Sequence, residues 1–96
     1  MIDRNGKVYR VVSPMVVANA RALLEAGRGL LDVETEGEAR LDLASVREAD
    51  SSALAVLFAL RRAAAARGRT LSVIHPPPGL ISLAGLYGVA ESLPLA

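Results

Sequence analysis

The chain has 96 residues, of which 52% are hydrophobic and only 3% aromatic, with 11 basic side chains against 10 acidic ones and no cysteine. A formal net charge of +1 and three aromatics, two Tyr and one Phe, supply neither the field nor the stacking platform that nucleic acid requires. Without cysteine there is no disulfide framework, thiolate nucleophile or zinc-finger spacing.

In chain order, Asn5-Gly6 reads as a turn that closes a hairpin with residues 1 to 4, and Lys7 to Val12 reads as a strand rich in β-branched residues. Ser13-Pro14 is a helix-start pair, a hydroxyl cap followed by a residue of suitable fixed φ. A helix is expected from there to about Ala26. Its apolar stripe is Met15, Val16, Ala20, Leu23 and Leu24, with Asn19, Arg21 and Glu25 facing out, and Gly27 and Gly29 ending it. Leu30 to Glu34 is a loose strand or connection, Gly37 a turn, and Ala39 to Leu43 a central strand in which apolar residues alternate with Arg40 and Asp42.

A polar loop then leads into the most informative segment. At residue 53 the apolar pattern changes to helical spacing, so Asp50 is the natural N-cap of a helix from Ser51 to about Arg67. Ala53, Val56, Leu57, Leu60 and Ala64 form one face, enough to cover a small sheet. The opposite face holds Ser51, Leu54, Ala55, Phe58, Arg62 and Ala65, and is more apolar than a solvated face should be. Either other helices cover it or it docks on a partner. Aromatic and Arg side chains are the types that most often carry binding energy at such patches.

Gly68 ends this helix, Thr70 to His75 alternates as a further strand, and Pro76-Pro77-Pro78 stops it. A last helix is expected from about Gly79 to Tyr87, with Leu80, Leu83, Ala84 and Tyr87 at helical spacing and Gly88 at its end. The apolar tail from Val89 to Ala96 either packs back on the domain or meets a partner. Strands alternating with helices define an α/β fold, a mixed sheet of about four strands with three to four helices, as one domain over residues 1–96.

Catalytic chemistry finds little support. His75 is the sole histidine and reads as a strand-end residue, Glu48 and Asp50 do not make an acid/base pair, and the carboxylates give no metal-ligand cluster. Gly27-Arg28-Gly29 lacks the context of a phosphate-binding loop. No apolar run approaches the about 20 residues that cross a bilayer, and Met1-Ile2-Asp3-Arg4 lacks a signal-peptide core, so a soluble cytoplasmic protein is expected. Ser51 is the exception: a hydroxyl in the first helical turn sits where backbone amides and the helix dipole favour a phosphate. The bland alternative is that Ser51 and Ser52 only help cap the helix, worth ~1 kcal/mol, and a functional contact by Ser51 is the favoured reading.

The run Leu41-Asp42-Leu43-Ala44-Ser45-Val46, followed by Asp50-Ser51-Ser52-Ala53-Leu54-Ala55-Val56-Leu57, resembles the signature of STAS domains, the anti-sigma-factor antagonist fold. Ala53 stands where the family has Gly. The last third, Leu83-Ala84-Gly85-Leu86-Tyr87-Gly88-Val89 with Leu93-Pro94-Leu95, is similar to the MlaB-like branch, the small STAS subunits of phospholipid ABC transporters in Gram-negative bacteria. The resemblance implies a non-enzymatic regulator without a cofactor of its own. Its partner would be the cytoplasmic, MlaF-like ATPase subunit, and it would sit beside the inner membrane through that complex. By the same resemblance Ser51 is the partner-interface position, flanked by Ser52, Leu54, Ala55, Phe58 and Arg62. In the anti-sigma-factor antagonists the corresponding hydroxyl is the phosphoacceptor.

Overall fold

A computed structural model describes residues 1–33 and 37–96. Four strands, β1 (Ile2–Asn5), β2 (Val8–Val11), β3 (Glu38–Asp42) and β4 (Thr70–Ile74), lie side by side in that order. β1 and β2 form the antiparallel hairpin expected at Asn5-Gly6, with Gly6 at φ 63, and β2, β3 and β4 run parallel. Three α-helices accompany them among the described residues: α1 (Ala20–Val33), α2 (Ser51–Ala66) and α3 (Pro78–Leu86). Single 3-10 turns at Val17–Asn19 and Ala90–Ser92 complete the described elements. The sheet is mixed and the class is α/β, as the alternation of patterns implies.

Period-2 alternation sorts the strands into two faces. Tyr9, Val11, Ala39, Leu41, Leu71 and Val73 are buried beneath the helices, together with Leu23 and Leu31 of α1 and Ala53, Val56, Leu57, Leu60 and Ala64 of α2. The covering face expected for α2 is therefore the observed one. On the other sheet face Arg10 and Arg40 are exposed.

The first helix departs from expectation at both ends. It starts at Ala20, because Met15 pairs with Ala49 in an isolated parallel bridge and holds the chain extended there. Ser13-Pro14 therefore caps nothing, and Met15 and Val16 precede the helix. Gly27 and Gly29 do not end it: α1 runs to Val33, so residues 30–33 are helical and not strand, while Glu34 lies outside the described residues. Gly27 is buried where α1 crosses α2, and a Cβ there would lie 2.6 Å from Leu60 Cδ2. The glycine serves close helix approach. At the far end the buried Arg69 donates from Nη1 to the Leu31 carbonyl at 3.0 Å, satisfying a helix C-terminal acceptor.

Three smaller differences have local causes. β4 stops at Ile74 because His75 takes a left-handed φ of 54. The last helix begins at Pro78, whose missing amide costs nothing at a first helical position. Tyr87 lies just beyond it and is 58% exposed, off the buried stripe of Leu80 and Ala84. The tail packs back on the domain: Leu93 is buried, the Val73 amide donates to the Pro94 carbonyl at 2.7 Å, and the Ala96 amide to the Val73 carbonyl at 3.0 Å. It thus pairs with the free edge of β4.

Candidate functional site

The site is built at the junction of β3 and α2. Asp50 has extended backbone, φ -120 and ψ -171, and is the N-cap. Its Oδ1 accepts from the Ser52 amide at 2.9 Å and from the Ser52 hydroxyl. Its Oδ2 accepts from the Val17 amide at 3.0 Å, so one carboxylate serves the start of α2 and the 3-10 turn before α1. Backbone bonds from Met15 to the Glu48 carbonyl (2.9 Å) and from Asp50 to the Met15 carbonyl (3.1 Å) join the same two loops. The Ser52 hydroxyl, then the Val17 and Ser52 amides, hold the Asp50 carboxyl below its usual range against a small opposing effect of burial.

This clamp separates the two serines. Ser52 is half-buried and its hydroxyl is consumed by Asp50, which makes it a capping residue. Ser51 is exposed at the tip of α2, and its side chain makes no hydrogen bond among the described residues. Behind it Ala55 and Arg62 are exposed, and Phe58 is half-buried. Leu54 is different. It is only 6% exposed, so it floors the site and is not on offer at the surface.

Residues that sequence periodicity could not place join the patch. Ser51, Leu54 and Phe58 line a shallow depression of about 260 Å³ with Tyr87 and Val89. A second depression of about 300 Å³, lined by Phe58, Arg61, Arg62 and Ala65, continues along the helix. Val17, held near Ser51 through Asp50, is 76% exposed. Helix α2 contains no acidic residue. The surface is apolar with a basic end, suited to contact with another protein. Among the described residues no helix is long and apolar enough to cross a membrane, and no three His, Cys, Asp or Glu side chains gather as metal ligands.

A second polar cluster lies at the C-terminal ends of β3 and β4. Asp42 is 5% exposed, and its Oδ1 accepts from the Ala44 amide at 2.9 Å and lies 3.0 Å from His75 Nδ1. Its Oδ2 is 3.5 Å from Arg10 Nε. Burial pushes the Asp42 carboxyl up, but the Ala44 amide, His75 and Arg10 together outweigh it and hold the group below its usual range.

This fold and this helix tip define a STAS-type interaction domain. The family described as "Mlab, STAS domain" matches residues 3–95, and the chain belongs to it. Among solved structures it is similar to a Thermotoga maritima protein assigned as an anti-sigma factor antagonist, at 14% identity and a TM-score of 0.75, covering 99% of this chain and 83% of that one. That likeness carries the fold alone. No relative was found among curated protein sequences. STAS domains act in general through protein–protein contact.

Proposed function

We propose that the chain, as one STAS domain over residues 1–96, is a non-catalytic regulatory subunit that binds and stabilises or activates the cytoplasmic ATPase of a phospholipid ABC transporter maintaining outer-membrane lipid asymmetry. The ATPase alone would bind ATP and Mg. This chain would be cytoplasmic and held at the inner membrane through the complex. The observation that carries the reading is the exposed Ser51 hydroxyl at the tip of an acid-free face bearing Ala55, Phe58 and Arg62, in a chain whose family model carries the Mlab description. Ser52 and Asp50 hold that tip in place, and Leu54 lines the same depression as Phe58.

The test is binding of the purified domain to the ATPase subunit of such a transporter. Truncating a central aromatic costs about 2 kcal/mol, so Phe58→Ala should weaken binding about thirtyfold. Phe58→Glu and Ser51→Asp should abolish it while circular dichroism stays unchanged. Full binding by both variants would place the contact elsewhere.

A second reading is an anti-sigma-factor antagonist that binds an anti-sigma kinase and is switched by phosphorylation of Ser51. It is favoured by the exposure of that hydroxyl in a first helical turn without acidic side chains. A phosphate would add nearly two negative charges to an apolar face and release the partner.

A further inference from the structure

We propose that His75 is a phosphoacceptor whose Nε2 takes a phosphoryl group from an N–P phosphoryl donor, with Asp42 holding the imidazole in the reactive form. The site is separate from Ser51. Asp42 is in register with Ile74, so the parallel β3 and β4 deliver the carboxylate and the imidazole side by side. Carboxyl ends of parallel strands are where such sheets gather ligand-binding groups.

Three observations converge on the ring. First, Asp42 is almost fully buried yet gathers the Ala44 amide, His75 Nδ1 and Arg10 Nε around its two oxygens, the surroundings of a carboxylate anion. An ionised carboxylate only accepts, so in the neutral ring Nδ1 is the protonated nitrogen that donates to Oδ1, and Nε2 bears the lone pair. Second, the His75 side chain is 66% exposed although Nδ1 is tied down, which leaves the Nε2 edge open to a donor. Third, His75 is the only non-glycine at positive φ among the described residues, and Pro76 restricts it further. A strained backbone fixed by a buried partner is characteristic of positions kept for function.

The chemistry balances without an added reactant. The Nε2 lone pair attacks phosphorus, a new N–P bond forms, and the donor N–P bond breaks with its electron pair on the departing nitrogen, which is already protonated in the donor and so leaves as a neutral amine. The proton on Nδ1 stays. The phosphorylated ring becomes a cation, and its positive charge faces the Asp42 carboxylate at hydrogen-bond distance. Arg10, paired across the strands with Asp42, brings a guanidinium to the same end of the sheet.

Phosphoramidate is the probe, its departing nitrogen leaving as ammonia, with N-acetylhistidine reacted in parallel. Mass spectrometry of the full chain should find one phosphoryl group on His75, and phosphorus NMR should place it on Nε2 alone. The rate should exceed that of N-acetylhistidine by about tenfold or more, the scale on which a carboxylate partner tunes an imidazole. Asp42→Asn should bring the rate back to that of N-acetylhistidine and yield both ring isomers, and His75→Gln should take up nothing. If Asp42→Asn does not fold, the isomer and rate in the unaltered chain decide. Reaction no faster than N-acetylhistidine, a mixture of isomers in the unaltered chain, or uptake persisting in His75→Gln would overturn the proposal.

Discussion

Alanine at Gly27 and at Gly29 tests the packing of α1 on α2. Both glycines are helical, so each substitution gains about 1 kcal/mol of helix propensity. They differ in what the added methyl meets. At Gly29 there is nothing within 4 Å, whereas at Gly27 the new Cβ lies 2.6 Å from Leu60 Cδ2 and 2.9 Å from Cδ1. Favourable carbon–carbon contact is at about 3.5–4.0 Å, so Leu60 must retreat by roughly 1 Å in a core where it is 2% exposed. Overpacking of this kind costs about 1–3 kcal/mol. Gly29→Ala should therefore stabilise by about 1 kcal/mol, and Gly27→Ala should destabilise by about 1. The propensity gain cancels in the comparison, so the difference of about 2 kcal/mol is the steric cost itself. In thermal unfolding that is a gap of roughly 10 °C for a domain of this size. Equal melting temperatures would refute the close-approach argument.

Further outcomes are checkable. Asp50→Ala should lower the melting temperature and speed amide exchange at both Val17 and Ser52, because one side chain serves both amides. Asp42 and Asp50 are both held below their usual pKa, so the unfolded chain takes up protons first as pH falls. Their stabilisation is complete above about pH 4 and is lost as pH drops through the folded-state values. Urea unfolding across pH 2–5 should show a shallower acid loss in Asp50→Asn. Leu93→Ala should cost about 2 kcal/mol, at the low end for a buried leucine, while Leu95→Ala, at 44% exposure, should stay within about 0.5 kcal/mol in the same assay.

What the sequence made legible were features whose causes are local. The α2 boundary is clear because the cap at Asp50 and the period of Ala53, Val56, Leu57 and Leu60 agree, and the hairpin because Asn5-Gly6 carries its own turn chemistry. The start of α1 was not legible, since the acceptor for the Val17 amide lies on Asp50, on another loop. Gly27 reads locally as a stop and is instead a contact, a meaning it acquires only when Leu60 is placed against it. The exposed side of α2 was half-legible. Ser51, Ala55 and Arg62 are exposed as the period implies, but Leu54 is buried by tertiary packing, which no window of α2 contains. The Asp42–His75 pair depends on β3–β4 register and could be found only in three dimensions.

On the proposed function, the exposed face of α2 holds a transporter ATPase. The most direct measurement is to purify the tagged chain from its native host, identify what accompanies it by mass spectrometry, and inspect the Ser51 peptide. Recovery of an ABC ATPase with unmodified Ser51 is the expected result. Recovery of a small ATP-binding kinase, with Ser51 partly phosphorylated, would contradict the transporter reading and leave sigma-factor control in its place.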